Sequence, residues 1–507
     1  MLAAIAAVAS IPVACSSSGK TPLGQAGDSG AGHQDAPALG ASPSVPEIPC
    51  TDTIASIYAD PGDVSAQPKG AILKCAHDAD LTAAELLAAA ETDAGLVPYA
   101  GRPFTSGAHV YRVLYRTERG DPAGTPGYSS GLVLLPDTPR AAQLPVLVAS
   151  HLSFGQGPKC AASVRDPASS YVYAAFLQLL YPLVGLGYAV IAPDLAGYAN
   201  YEGAHNPPSA YAEVEDVGKS TLDGARALRK IIPHGLTQQI ALVGHSQGGQ
   251  TTISAMALFD SFGADGQLAA AAVFAPLWWS QRSFVALFDL PSQYAFDASA
   301  GGAVSIWIHY TTAELLDGQG HGVDLFKPDA QAGIKSFVDN DCWAATWPDL
   351  YKLGSSANDV FDPGYVQSMG TATLTGSCQP GDTRCATWLA RLTADYPHLT
   401  GTAITTPLLV WYANNDQTIT PDLAACTFDR LTSDHANYNV CYDPNPIGHA
   451  GTLGAHAEYV ADWIAAKTLG GQAPPACPGL SDDDAGVPQI PMDGGGFWAC
   501  NPLVPMQ

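Results

Sequence analysis

From residue 110 onward the chain alternates short apolar runs with longer stretches of helical periodicity. The segments 110–116, 131–135, 146–150 and 188–192 have the length and hydrophobicity of strands. Between the last two, 171–184 carries apolar residues at helical spacing. The series continues with a helix over 220–231, a strand over 240–243, a helix from Gly249 and a strand over 269–274. Strands that alternate with helices predict a largely parallel sheet covered by helices on both faces, an α/β architecture. Upstream, 81–94 predicts one further short helix.

The pattern lapses after Pro276. It resumes with strands over 408–412 and 439–442 and a helix over 455–468. The interval carries Trp278, Trp279, Phe284, Phe288, Trp307, Trp343 and Trp347, and it reads as an insertion that caps the sheet. Most of these rings are expected to form the insertion's own core, leaving a minority to line an acyl pocket. The chain therefore divides into a signal segment (1–15), a Gly/Ser/Ala/Pro-rich flexible linker (16–49) and an N-terminal extension (50–100). The first part of the α/β core (101–275), the cap (276–400), the second part of the core (401–478) and an acidic Pro/Gly-rich tail (479–507) follow. In that tail Asp482, Asp483 and Asp484 read as a solvated turn rather than a calcium site.

Composition narrows the picture. With 507 residues, 47% of them hydrophobic, the chain can bury a large core. A net charge of −25 without a basic stripe excludes a nucleic-acid partner. The apolar run 2–13 is too short to span a bilayer and ends in Val13-Ala14-Cys15. This resembles a bacterial lipoprotein signal, in which Cys15 would be lipidated and anchor the chain to a membrane. Pro12 and the lack of a basic residue before the run depart from that pattern, and an ordinary signal peptide is the alternative. Both predict export.

Of eleven cysteines, setting Cys15 aside leaves ten, an even number suited to disulfides in an oxidising compartment. Short spacings suggest Cys378–Cys385, Cys426–Cys441 and Cys477–Cys500, with Cys50–Cys75 and Cys160–Cys342 completing the set. No C-x-x-C pair or His-rich cluster points to a metal.

Chemistry is concentrated at Gly244-His245-Ser246-Gln247-Gly248, a G-x-S-x-G match. Five letters mean little in a chain with 51 glycines, and Gly127-Tyr128-Ser129-Ser130-Gly131 matches too. Context separates them. The first follows an apolar strand and precedes a helix, the flanks of a nucleophile elbow, whereas the second leads from a turn into a strand. A serine hydroxyl at neutral pH needs a histidine base, and the histidine needs a carboxylate. In the hydrolase order Ser, acid, His, the partners are Asp416, just past the strand over 408–412, and His449, before the last helix. Asp422 competes with the acid but reads as a helix cap, and His456 falls inside the helical pattern. One oxyanion donor is expected from the Gln247 N–H. The second is expected from the loop 151–157, with Leu152 and Ser153 as candidates. Such chemistry needs no metal or organic cofactor.

The segment Gly187-Tyr188-Ala189-Val190-Ile191-Ala192-Pro193-Asp194, with Gly197, Leu222-Asp223-Gly224-Ala225-Arg226-Ala227-Leu228 and the elbow, resembles the secretory lipase family. His449-Ala450-Gly451 through Trp463-Ile464 to Cys477 is similar to it as well. The likeness runs over roughly 100–478. It implies an α/β-hydrolase fold, carboxylic-ester hydrolysis on a small-molecule or lipid substrate, and a cap inserted before the acid. It also implies Ser246, Asp416 and His449 as the triad. The family's fungal type member carries an acidic residue in its oxyanion loop, and none occurs here from Ser150 to Val164. Asp194 and Asp223 precede Ser246 and read as structural. A peptidase with the same triad, and a catalytically silent binding protein of the same fold, are the other function classes that the pattern admits.

Overall fold

Among the described residues nine strands form one sheet: β1 (Ile72–Leu81), β2 (Ala108–Glu118), β3 (Pro126–Pro136), β4 (Leu144–Ser150), β5 (Val190–Pro193), β6 (Leu236–His245), β7 (Gln267–Phe274), β8 (Leu408–Ala413) and β9 (Tyr438–Asp443). Their order is β1-β2-β3-β5-β4-β6-β7-β8-β9 in the computed structural model, which describes residues 42–164, 170–198, 206–276, 300–343, 350–413, 416–419 and 421–477. The strands from β5 to β9 in that order pair in parallel. At the other edge β1, β2 and β3 pair antiparallel, and β3 meets β5 antiparallel.

Period-two alternation puts each parallel strand's side chains into two separate cores. Val146, Val148, Ile240, Leu242, Val273 and Val410 join one face, where the helices Val214–Ile231 and Gln247–Ala257 contribute Leu222, Leu228, Ile253 and Met256. Leu147, Ala149, Ala241, Val243, Phe274 and Trp411 join the other, against Leu179 and Val184 of Ser170–Gly185 and Leu453, Val460 and Ile464 of Gly448–Thr468. Two covered faces explain why β4 and β8 read as unbroken apolar runs, since both are buried at every position. The α/β architecture expected from the pattern is the one observed. No helix among the described residues is long and apolar enough to cross a membrane.

Between β7 and β8 the described residues contribute helices and no strand. Trp307, fully buried, stacks on Phe337 with centroids 5.9 Å apart and also touches Trp343 at 6.0 Å. It is thus a core residue of the insertion. Trp278, Trp279, Phe284, Phe288 and Trp347 lie outside the described residues.

Several expectations are corrected. The segment 50–100, expected as an extension, supplies β1 to the sheet, and Leu81 ends that strand rather than opening a helix. The helix that follows is Ala83–Ala90, started by a Thr82–Glu85 capping box. The competing Ser129 lies within β3, where its hydroxyl donates to the Ser130 carbonyl at 2.9 Å. Disulfides Cys50–Cys75, Cys160–Cys342 and Cys378–Cys385 form as expected. Cys441, however, pairs with Cys477 rather than Cys426, so Cys477–Cys500 does not form either. The reason is sidedness. Cys426 belongs to the helix Pro421–Ser433, whose Ala424, Phe428 and Leu431 pack into the first core. Cys441 points into the second core, and the chain leaving Gly448–Thr468 delivers Cys477 to that same face. Cys500 lies outside the described residues.

A polar contact at Asp395 helps fasten the insertion to the core. Val214 N–H, in the first turn of its helix, donates to Asp395 Oδ1 at 2.8 Å. Beside it the Glu213 carboxylate caps the Asp216 N–H at 2.6 Å, and Asp216 is held by the buried Arg119 guanidinium at 2.8 Å. Burial pushes the Asp395 carboxyl up to about 7 and raises Glu213 well above its ordinary value, the Asp395 charge adding to the second effect. The folded chain therefore keeps a proton on Asp395 that the unfolded chain releases above about pH 4. The cost of ionising this buried carboxyl is absent below that pH and is reached in full as pH rises through 7, so the fold loses stability across this window. Asp395→Asn retains the acceptor oxygen but cannot ionise. Its melting temperature should match wild type near about pH 4 and exceed it near about pH 8; parallel profiles for the two proteins would contradict this account.

Candidate active site

β6 ends at His245 and the helix begins at Gln247, so Ser246 alone makes the turn. It does so at φ 57° and ψ −119°, a left-handed conformation costly for a residue with a Cβ. The Ser246 N–H donates to the Phe274 carbonyl at 2.9 Å, which ties the turn to β7. Close approach explains the flanking glycines. A Cβ on Gly244 would stand 2.0 Å from the Gly248 carbonyl oxygen, and one on Gly248 would stand 2.1 Å from the Ser150 carbonyl oxygen. G-x-S-x-G is therefore a packing requirement of this strand–turn–helix.

Asp416 follows β8 and is buried. Its Oδ1 accepts N–H bonds from Thr418 and Ile419, both at 2.8 Å. Its Oδ2 meets His449 Nδ1 at 2.7 Å. Two backbone donors hold the carboxylate so that its free oxygen faces the imidazole, which orients the ring and favours the tautomer with its proton on Nδ1. His449 Nε2 is buried and has no hydrogen-bond partner in the structure, leaving its lone pair available. His449 sits in the first turn of Gly448–Thr468, not in the loop expected before that helix.

The structure brings His449 to the elbow through a residue that the sequence did not single out. His245 Nε2 donates to the His449 carbonyl at 3.1 Å, and the two rings lie 4.7 Å apart. Burial, reinforced by the neighbouring His449, holds the His245 imidazole well below its ordinary pKa. It is thus a neutral donor that fixes the His449 backbone without adding charge beside the ring. Its place as the second letter of G-x-S-x-G was the available signal, but that position is variable in the motif.

The loop after β4 carries the remaining candidates. His151 Nε2 meets the Asp194 carbonyl at 3.2 Å, and the ring packs edge-on against Tyr198 at 5.4 Å. Ser153 Oγ bonds the Tyr211 hydroxyl at 2.6 Å, so this side chain is engaged away from Ser246. Leu152 and Ser153 are both buried. The insertion pins the same loop through Cys160–Cys342 and through the Trp343 N–H, which donates to the Phe154 carbonyl at 2.7 Å. Gln247 opens the helix Gln247–Ala257 and is buried, with its main chain at the positive end of the helix dipole.

The competing residues are placed elsewhere. His456 bonds Asp443 at 2.8 Å and stacks on Trp411 at 3.6 Å, inside the second core. Asp194 accepts from the Ser130 hydroxyl at 2.6 Å and the Ser163 N–H at 2.7 Å. Asp223 bonds Thr117 at 2.8 Å and Arg226 at 2.6 Å, with burial raising its carboxyl to about 6. The side chain of Asp422 lies outside the described residues.

Residues 146–463 match the model of the alpha/beta hydrolase family. The chain belongs to that family. Among solved structures, this α/β hydrolase is similar to a putative hydrolase from Legionella pneumophila at 16% identity and a TM-score of 0.59, over 78% of this chain and 97% of that one. The rice cell wall degrading esterase LipA from Xanthomonas oryzae is 17% identical with a TM-score of 0.58, over 80% and 99%. Lipase A of Candida antarctica in its closed state is 15% identical with a TM-score of 0.58, over 83% and 86%. These likenesses establish a shared fold. No curated protein sequence matches the chain.

The elbow packing generates a test. Gly248→Ala forces its new methyl into the Ser150 carbonyl, and the neighbouring His151 carbonyl oxygen, 2.6 Å from the Cβ position, blocks escape. The variant should lose about 3 kcal/mol of stability in urea denaturation. A change within about 0.5 kcal/mol would refute the packing argument.

Proposed function

We propose that this chain is an exported serine carboxylic-ester hydrolase, a lipase or esterase. Ser246 is the nucleophile, His449 the base and Asp416 the residue that orients it. The observation that carries the reading is the Asp416–His449 hydrogen bond of 2.7 Å, held beside a left-handed Ser246 turn by the His245 contact. In the proposed cycle His449 Nε2 takes the Ser246 proton as Oγ bonds the ester carbonyl carbon. The tetrahedral oxyanion collapses, the carbon–alkoxy bond breaks, and His449 returns the proton to the leaving alcohol. Water then repeats the sequence on the acyl-enzyme and releases the acid. The oxyanion is bound by the Gln247 N–H and by a second N–H from Leu152 or Ser153 in the loop after β4. All of these roles fall to side chains and backbone, without a cofactor.

The residues between β7 and β8 serve as a cap that shapes the acyl site. Esters are favoured over peptides as substrates because an esterase and a lipase stand among the structural neighbours. The segment resembling the secretory lipase family points the same way. Four disulfides among the described residues support export, with Cys15 as the candidate lipid anchor.

Ser246→Ala and His449→Ala should each lower kcat on p-nitrophenyl esters by about 10⁴-fold or more, and Asp416→Asn by about 10⁴-fold. His456→Ala should stay within about tenfold of wild type while losing about 1 kcal/mol of stability. A fluorophosphonate should label wild type and spare Ser246→Ala. Full activity in Ser246→Ala would overturn the nucleophile. Faster cleavage of an acyl-matched amide would overturn the ester assignment, and an unlabelled, inactive wild type would point to a silent binding protein.

A further inference from the structure

His77 and Asp80 lie three residues apart on β1, so a regular strand would send them to opposite faces. β1 is not regular. Its register against β2 shifts between His77, opposite Tyr111, and Ala79, opposite Val110. The residue inserted at this bulge restores a common face for His77 and Asp80. Asp80 is then the direct cross-strand partner of His109 on β2. One carboxylate oxygen, Asp80 Oδ1, lies 2.9 Å from His77 Nε2 and 2.6 Å from His109 Nδ1. These three ligand atoms all fall within 4.8 Å of one another.

A fourth residue completes the arrangement. The other ring nitrogen of His109, Nε2, meets Asp137 Oδ1 at 3.1 Å. Asp137 follows β3, its N–H donates to the Gly107 carbonyl at 3.1 Å, and its carboxylate occupies the space where a Gly107 Cβ would lie, 2.3 Å away. A carboxylate on the far N–H of an imidazole raises its basicity as a metal ligand, and the cation would take the place of the hydrogen that His109 Nδ1 gives to Asp80 Oδ1 in this structure. Two imidazoles and one carboxylate suit a borderline cation such as Zn²⁺ and not Mg²⁺ or Ca²⁺, which take oxygen ligands. Bonds of about 2.0–2.2 Å around a tetrahedral Zn²⁺ space the donors about 3.3 Å apart. The two carboxylate–imidazole spacings, 2.9 and 2.6 Å, need open by less than about 1 Å to reach this.

We propose that His77 Nε2, Asp80 Oδ1 and His109 Nδ1 form a peripheral Zn²⁺ site that clamps edge strand β1 to β2, with Asp137 orienting His109. The site lies four and five strands from β6, which carries the elbow, roughly 20 Å away at the usual strand spacing. Its role is structural: it secures the edge of the sheet, and water fills the fourth position.

The test uses untagged protein stripped with a chelator, dialysed, and titrated calorimetrically with Zn²⁺ near about pH 7.5. The expected result is one equivalent bound by wild type and lost in His77→Ala/His109→Ala. Asp137→Asn, which removes no ligand, should weaken binding by about tenfold. Zn²⁺ should raise the melting temperature of wild type and leave that of the double variant unchanged. Esterase rates of the metal-free double variant equal to wild type would show that it folds. The proposal is overturned if wild type binds no Zn²⁺, or if the double variant binds as many equivalents with the same affinity.

Discussion

Three backbones meet at van der Waals distance at the end of β6, and the site depends on that approach. Ser246 turns the chain in one left-handed residue, Gly244 lies against the Gly248 carbonyl, and Gly248 lies against the carbonyls of Ser150 and His151. A side chain at Gly248 would force the helix Gln247–Ala257 away from β4, and one at Gly244 would force it away from β6. The same contact joins the helix N-terminus to the loop after β4. The two segments proposed to supply the oxyanion donors, distant in sequence, are thereby packed against each other.

The insertion between β7 and β8 reaches the loop after β4 as well. Cys160–Cys342 spans 182 residues and closes the β4 loop onto it. Tyr211 links Ser153 to the helix Ala300–Leu316 through its hydroxyl and through its N–H bond to Thr311 Oγ1 at 3.0 Å. The Asp395–Val214 bond adds a buried carboxyl that is most comfortable when protonated. Core and insertion therefore share one polar and covalent seam along the proposed oxyanion loop.

Strands with two covered faces were legible because continuous hydrophobicity is what such burial demands, and β4, β6, β7 and β8 were found that way. β1 was not, because an edge strand is half exposed and its pattern is further broken by a bulge. The last helix begins at Gly448, several residues before the expected start. Glycines at 451 and 454 lower helix propensity, yet a Cβ on Gly454 would stand 1.9 Å from the Val97 carbonyl oxygen. Packing against the 97–98 segment thus outweighs propensity there and carries His449 into a helical turn. The Cys441–Cys477 bridge was missed for a related reason: spacing along the chain does not reveal which face of a sheet each cysteine occupies.

By itself the sequence determined the α/β architecture, the strand–turn–helix at Ser246 and the chain order in which Asp416 and His449 follow it. Those features are local: burial patterns of period two or 3.6, and glycines that a tight turn needs. Only the tertiary structure decided that Asp416 meets His449 across 33 residues, and that His245 reaches the His449 backbone across 204. It likewise decided the sidedness of the disulfides and the convergence of His77, Asp80 and His109. Each depends on register and on which sheet face an element covers. Those are set by packing between distant segments, and no local pattern encodes them.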